Sequence, residues 1–140
     1  MPRVVIDPGV IVSGLLSPDG PPGQILAGVR AGDVEIVLSE HLLDELGAVL
    51  RRPKFRGLIA PEEAVALDDE LRRVADVALD PANPEPVTRD PDDDYLVALA
   101  RVEGADAIVS GDADLQVLRI DPPVLSPRAF LDRLRQDESG

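Results

Sequence analysis

Short apolar, β-branched runs alternate along the chain with longer segments in which apolar residues recur at helical spacing. Residues 3–7 (RVVID) form the first such run, and Pro8 and Gly9 end it, which is typical of a buried strand. Further strands are predicted at residues 34–38, 105–109 and 123–125. Strands that alternate with helices predict a parallel sheet between two layers of helices. We therefore expect an α/β fold with three layers, α/β/α, around a mainly parallel central sheet.

The predicted helices are bounded by residues that favour helix ends. Ser39 is an N-cap residue, Pro61 suits a first helical position, and Gly32 and Gly104 suit helix ends. The helices are predicted at about residues 24–31, 40–52, 61–79, 90–103 and 126–134, with a short helix or turn at 10–16. A chain of 140 residues fits one core, so we expect a single domain over residues 1–135 and a disordered tail at 136–140.

Composition removes several kinds of chemistry. The chain has no cysteine, which excludes thiolate catalysis, disulfides and Cys-ligated zinc. The apolar runs are too short to span a bilayer and the N-terminus does not resemble a signal peptide, so we expect a cytoplasmic protein without a membrane partner. The formal net charge of −13 opposes binding to a polyanion such as RNA. Acids that hold divalent cations would reverse that effect locally, because the cations present positive charge.

The densest group of acids stands at the start of one helix, within the stretch RDPDDDYLVALA at residues 89–100. One or two acids here are explained by helix capping and by the helix dipole. Four exceed that need: they are Asp90, Asp92, Asp93 and Asp94. Carboxylates this close raise one another's pKa unless they separate into water or share a cation.

Parallel α/β topology brings acids from four segments to one edge of the sheet. Asp7 and Asp112 follow predicted strands, and Asp94 begins a helix at the same edge, where ligands bind in open parallel sheets. Glu45 flanks the apolar stripe of helix 40–52 and leans towards that edge. Asp106 starts its strand and falls at the opposite rim. Four converging carboxylates favour a hard cation such as Mg²⁺ or Mn²⁺, whose bound water is a source of nucleophile.

The first two acidic segments resemble motifs of the PIN-domain family, metal-dependent ribonucleases that include the toxins of bacterial toxin–antitoxin pairs. RVVIDPGVIVSGLL resembles the opening motif, with Asp7 as its acid and Ser13 after it. SEHLLDELGAVLRRPKF resembles the second motif, with Glu45 as its acid.

The last two segments complete the resemblance, which covers almost the whole chain. RDPDDDYLVALA resembles the third motif with Asp94, and SGDADL resembles the fourth. The fourth motif has Ser110 in place of the more usual threonine and Asp112 as its acid, with Asp114 assisting.

The resemblance implies a metal-dependent endoribonuclease with a PIN-like fold. The implied catalytic residues are Asp7, Glu45, Asp94 and Asp112, and the implied ligands of Mg²⁺ or Mn²⁺ are Asp7, Asp94, Asp112 and Asp114. The candidate RNA contacts are Arg51, Arg52, Lys54, Ser13 and Ser110, although cations at a helix C-terminus are also favourable without a ligand. His41 is expected to be an exposed polar residue rather than a general base. The implied partners are RNA, a cognate antitoxin protein and a second copy of the chain as a homodimer.

One departure from the family pattern keeps alternatives open. The family reads Asp-Thr-Asn where this chain reads Asp7-Pro8-Gly9, so two polar side chains that orient the first carboxylate are lost. A PIN-like binding module that no longer cuts and acts through a protein partner is therefore the alternative. A phosphotransfer domain with Asp7 as nucleophile ranks last, since the only lysine of the chain is Lys54.

Overall fold

A computed structural model describes the backbone of residues 1–139 and the side chains of residues 1–137. The strands of these residues are β1 (Arg3–Ile6), β2 (Glu35–Ser39), β3 (Asp76–Ala78), β4 (Ala107–Val109) and β5 (Val124–Leu125). All neighbouring strands are parallel, in the order β3-β2-β1-β4-β5. The parallel α/β fold that the sequence predicted is confirmed.

Helices flank the sheet and connect its strands. They are α1 (Pro8–Leu16), α2 (Pro21–Ala31), α3 (Glu40–Leu50), α4 (Pro61–Val74), α5 (Asp94–Val102), α6 (Ala113–Gln116) and α7 (Pro127–Ser139), with 3-10 turns at Pro53–Phe55 and Pro91–Asp93. None of the helices described within residues 1–139 has the length and apolar character needed to cross a bilayer.

The centre of the sheet is built from aliphatic side chains. Val4, Val5 and Ile6 of β1 are fully buried, because β1 lies between β2 and β4 and helices cover it. A strand buried on both faces needs a continuous apolar run, which is what the sequence supplies. The centre of the sheet therefore gives a rigid base to the residues that follow β1 and β4.

Predicted helix ends at three positions are confirmed by the backbone. The Ser39 hydroxyl accepts a hydrogen bond from the Leu42 amide at 3.3 Å and caps α3. Gly32 and Gly104, which follow α2 and α5, have φ values of 84° and 66°, a left-handed conformation that glycine adopts without strain.

The prediction of one helix over residues 61–79 is wrong at its C-terminal end. Helix α4 ends at Val74, and Asp76–Ala78 forms the edge strand β3. A three-residue strand has no periodicity long enough to detect, and it is stabilised by pairing with β2. Two further elements differ from the prediction. The short helix α6 was not predicted. Helix α7 includes residues 136–139, which were predicted to form a tail, and Gly140 lies outside the described residues.

Arg3 joins several elements at the amino edge of the sheet. Its guanidinium forms ion pairs with Glu35 of β2, with Asp76 of β3 at 2.7 Å and with Glu103 after α5 at 3.3 Å. Its backbone N–H donates to the Asp106 carboxylate at 2.8 Å, so Asp106 lies at this edge, as predicted. The carboxyl edge holds a different set of acids.

Candidate active site

Asp7 and Asp112 follow adjacent strands and are linked through one buried serine. The Asp7 carboxylate accepts a hydrogen bond from the Ser110 hydroxyl at 2.9 Å, and the Ser110 oxygen accepts one from the Asp112 amide at 3.1 Å. Ser110 is fully buried. The hydroxyl therefore fixes Asp7 relative to the segment that carries Asp112.

The second oxygen of Asp7 is also held. It accepts a hydrogen bond from the Gly9 amide at 3.0 Å, which makes Asp7 the N-cap of α1. Pro8 lacks an amide hydrogen, but it occupies the first helical turn, where that hydrogen would have no intrahelical partner. Both carboxylate oxygens of Asp7 are thus oriented without polar side chains at positions 8 and 9.

Asp112 and Asp114 lie on the short helix after β4. One oxygen of Asp112 accepts a hydrogen bond from the Asp114 amide at 2.9 Å and caps α6. The Asp114 side chain is exposed and lies 3.6 Å from the guanidinium of Arg89. Asp7, Ser13 and Asp112 line one cavity of about 440 Å³, whereas Asp114 is not part of its lining.

Among the acids of residues 90–94, Asp93 has a strongly raised pKa. Partial burial raises its pKa to about 6, with contributions from the negative charges of Asp7, Asp90, Asp112 and Asp92. The negative charge of Asp93 therefore repels Asp7 and Asp112, the two residues that Ser110 links. Asp93 was part of the predicted acidic run but was not a predicted site residue. A run of four acids does not by itself indicate which of them lies near acids of other segments.

Asp94 is tied to a neighbouring loop. It is 6% exposed, and one of its oxygens accepts hydrogen bonds from the Val87 amide at 3.1 Å, the Thr88 amide at 2.8 Å and the Thr88 hydroxyl at 2.7 Å. Burial raises the pKa of Asp94, but these hydrogen bonds outweigh burial and lower the pKa overall. The ionised side chain therefore stabilises the segment before α5, and its role as a metal ligand stays a prediction.

Glu45 lines a different cavity, of about 370 Å³, together with His41, Asp80 and Tyr95. It is half-buried on the side of α3, as predicted. Burial raises the pKa of Tyr95, and the charges of Glu45 and Asp7 add to this increase. Tyr95 is thus within electrostatic range of Glu45 and of Asp7, each of which lines one of the two cavities.

The candidate basic contacts lie away from these acids. Helix α3 begins at the carboxyl edge and runs back along the sheet, so Arg51 and Arg52 at its end are about 16 Å from its start. The Lys54 ammonium lies over the Phe55 ring, 5.0 Å from its centre. The structure does not bring these cations to the carboxylates, and RNA contacts by them stay a prediction.

Comparison with known proteins identifies the family. The PIN-domain profile matches residues 3–114, which include β1 and the segment with Asp112. The chain belongs to the PIN-domain family. An uncharacterized protein of Methanocaldococcus jannaschii is 32% identical over 117 residues, which cover 84% of this chain and 75% of that protein. PIN domains have a nuclease-type fold, and members of the family are generally RNases that use divalent metal ions.

The acids of this PIN domain fit a metal that keeps most of its own water. Within residues 1–137, no group of three acidic side chains is close enough to hold one ion together. Mg²⁺ is commonly bound by one or two carboxylates, with waters and substrate phosphates as the remaining ligands. Asp7 and Asp112 fit this mode, since both line one cavity. Their negative charges contribute to the raised pKa of Asp93, and a cation would relieve that repulsion.

Proposed function

We propose that this PIN domain is a metal-dependent endoribonuclease that hydrolyses phosphodiester bonds of RNA with Mg²⁺ or Mn²⁺. The observation that carries the proposal is the hydrogen-bonded link from Asp7 through Ser110 to Asp112 at adjacent strand ends. Mg²⁺ and Mn²⁺ prefer carboxylate oxygens as ligands, and here two carboxylates are held at one rim of the sheet. Membership of a family that generally cleaves RNA gives the chemistry.

Each acid has a separate task in this proposal. Asp7 and Asp112 hold the metal, directly or through water, and Asp93 supplies further negative charge beside them. When bound, the metal stabilises negative charge on the phosphate oxygens and provides an activated water. Glu45 orients or deprotonates the attacking water, because it is the half-buried carboxylate of α3 nearest this edge. Asp94 holds the loop at 87–88 in place and, by the family resemblance, also contributes to the metal site.

Asp7→Asn tests the proposal. Asparagine is also a good N-cap residue, so the fold should persist while the charge is lost. We expect Mg²⁺- or Mn²⁺-dependent cleavage of single-stranded RNA to fall by at least about a hundredfold, because even residues that only support metal ligands contribute 10–100-fold. Initial rates with a fluorescent RNA pool and circular dichroism measure the two quantities.

Asp69→Asn is the matched control, since it removes the same charge from an exposed position on α4. Cleavage by this control should equal that of the unchanged chain. Cleavage by Asp7→Asn at the rate of the control would reject the proposed site.

The alternative is a PIN-like module that no longer cuts. It is favoured by Pro8 and Gly9, which stand where the family pattern has two polar side chains after the first acid. Isothermal titration calorimetry with Mn²⁺ separates the two functions: binding at millimolar metal that Asp7→Asn removes supports the nuclease, and no binding supports the module.

We further propose that the protein is the toxin of a toxin–antitoxin pair, with a cognate antitoxin as partner, and that it forms a homodimer in the cytoplasm. The similarity of its four motifs to such toxins supports this role. A net charge of −13 also favours a basic partner segment. A neighbouring reading frame that encodes a small DNA-binding protein, and co-purification of the two proteins, would test it.

A further inference from the structure

The cavity beside Glu45 has features that the hydrolytic chemistry does not use. Its lining combines an aromatic pair, His41 and Tyr95, with acids and with rigid proline side chains. The acids are Glu45, Asp80 and Asp92, and the prolines are Pro81, Pro84 and Pro91. Its volume of about 370 Å³ is ample for one planar heterocycle.

His41 and Tyr95 form a stacked pair at this cavity. Their ring centres are 3.9 Å apart and their planes meet at 27°. Tyr95 is 7% exposed, whereas His41 is exposed and its backbone amide is held by the Asp80 carboxylate at 3.1 Å. The outer face of the imidazole is thus available to a third ring, and stacking on such a face is how proteins hold unpaired bases. These are the only histidine and the only tyrosine of the chain.

The Tyr95 hydroxyl is a free donor in this lining. It makes no hydrogen bond within residues 1–137, although the residue is more than nine-tenths buried. No fully buried side-chain oxygen or nitrogen of these residues lacks a partner, so the hydroxyl reaches solvent. A ligand that enters the cavity can therefore bond with it at little desolvation cost.

The remaining polar groups of the lining are acceptors. The side-chain carboxylates of Glu45 and Asp92 are not engaged in hydrogen bonds or ion pairs within residues 1–137, and Asp80 uses one oxygen for the His41 amide. A carboxylate pairs best with two adjacent N–H donors on a planar group. Among the four RNA bases, guanine presents that arrangement, with its N1–H and its exocyclic amino group, whereas uracil presents one N–H between two carbonyls.

We propose that this cavity binds an unpaired guanine of the RNA substrate, stacked on His41, with its donor edge towards the Asp92 carboxylate, so that Glu45 stays available for the attacking water. The base lies next to Glu45, so its capture positions the adjoining phosphate near the acids at the ends of β1 and β4. Binding of the base stands on the cavity alone; its effect on cleavage rests on the proposed function.

Nucleotide binding can be measured without metal and without cleavage. His41 and Tyr95 are unique in the chain, so their aromatic proton signals in NMR spectra are assigned directly. We expect GMP at millimolar concentration to shift both sets of signals saturably, and UMP to bind at least several-fold more weakly. Ribose 5-phosphate, the control for the phosphate group, should leave the signals in place.

Two substitutions of the same exposed residue separate stacking from general disturbance. His41→Leu should weaken GMP binding about tenfold, because one stacked base contributes roughly that much to binding. The binding of GMP to this variant is followed by the NMR signals of Tyr95. His41→Phe should retain most of the affinity, because it restores an aromatic face. Lack of a saturable shift with GMP, equal affinity for GMP and UMP, or equal affinity of the leucine and phenylalanine variants would each overturn the proposal.

Cleavage assays then connect the cavity to the reaction. With RNA oligonucleotides that carry a single guanine, His41→Leu should raise KM about tenfold with a smaller change in kcat. With oligonucleotides that lack guanine, the ratio of the KM of the variant to the KM of the unchanged chain should be several-fold smaller, because other bases stack on His41 but do not pair with the carboxylate. If the chain does not cut RNA at all, the proposed function is wrong, and the nucleotide titration still tests the base site. If the chain cuts RNA, and the ratio of the KM of His41→Leu to that of the unchanged chain is the same on both oligonucleotides, the base site is wrong and the nuclease proposal stands.

Discussion

Ser110 compensates for the missing polar side chains after Asp7. The family pattern at positions 8 and 9 would orient the first carboxylate, but here the Ser110 hydroxyl and the Gly9 amide hold its two oxygens. A buried hydroxyl that both donates and accepts is fully satisfied, so it fixes geometry without an unpaired group. The Asp7-Pro8-Gly9 sequence is therefore compatible with an oriented metal ligand.

Asp93 and Asp94 are neighbours in the chain, yet their ionised forms affect stability in opposite directions. The pKa of Asp93 is raised from 3.8 to about 6, so its charge destabilises the fold above pH 6 and not below pH 4. The pKa of Asp94 is lowered overall, so its charge stabilises the fold at neutral pH, and that stabilisation is lost as the pH falls through its folded pKa.

We predict opposite effects of the two asparagine substitutions in metal-free buffer at pH 7. Asp93→Asn should raise the free energy of unfolding by about 1 kcal/mol, a value already reduced for solvent screening of a partly exposed group. Asp94→Asn should lower it by about 2 kcal/mol, because a charged acceptor of three hydrogen bonds is weakened. Urea unfolding at pH 7 and pH 4 measures both, and the gain from Asp93→Asn should vanish at pH 4. Destabilisation by both substitutions at pH 7 would contradict the placement of Asp93.

At the scale of elements, close packing of the first two helices positions the cavity that Asp7 lines. A Cβ atom on Gly14 of α1 would meet the side chain of Leu26 of α2, and one on Gly23 would overlap the carbonyl group of Pro18. The two helices thus approach at positions where side chains are absent. This approach brings Ser13 of α1 and Pro22 of α2 into the lining of the Asp7 cavity.

Gly23→Ala should destabilise the protein by about 2 kcal/mol. Alanine is favoured over glycine inside a helix by about 1 kcal/mol, but overlap with a backbone carbonyl costs more because the loop before α2 has to move. Thermal unfolding measures the change. Gly57→Ala is the control, since a Cβ there meets nothing within 4 Å, and its melting temperature should stay within error or rise. An equal effect of the two substitutions would show that α2 does not pack as described.

At the scale of the molecule, the two edges of the sheet have opposite electrostatic organisation. Asp7 and Asp112 lie at the carboxyl edge. Burial raises the pKa of Asp93, and the negative charges of Asp7 and Asp112 add to that increase. At the amino edge, Arg3 forms ion pairs with Glu35, Asp76 and Glu103. The hydrogen bond to Asp76 and the charges of Glu35 and Asp76 raise the pKa of Arg3. At the amino edge a protein cation thus pairs with the acids, whereas at the carboxyl edge Asp7 is held by the hydrogen bonds of Ser110 and Gly9.

Arg3→Met should cost about 2 kcal/mol of stability and loosen β3. The substitution keeps much of the side-chain volume but leaves the half-buried Glu35 and Glu103 and the exposed Asp76 without their cation, and removal of one partner is the expensive change. Arg30→Met is the control, because Arg30 forms an exposed pair with Glu70 and such pairs contribute little. Urea unfolding compares the variants, and hydrogen exchange at residues 76–78 reports on β3. Similar stability of the two variants would show that Arg3 does not join the strands.

Local pattern explains why much of the fold was predictable. The apolar run of β1, the cap at Ser39 and the glycine ends of α2 and α5 depend on residues close in sequence, so each is visible without coordinates. The order of the acids could also be predicted, because parallel strands bring the residues after them to one edge. The edge strand β3 was missed, since its stability comes from pairing with β2 and from Arg3.

The sequence by itself determined the alternation of strands and helices, the helix ends and the edge at which Asp7 and Asp112 lie, because these follow from neighbouring residues and from chain direction. Only the tertiary structure decided that Asp93 lies within electrostatic range of Asp7 and Asp112 while Asp94 holds a loop, since the phase of a run of acids depends on how its helix packs. It also decided that His41 lies on Tyr95, as residues 54 positions apart meet only when α3 and α5 are in place.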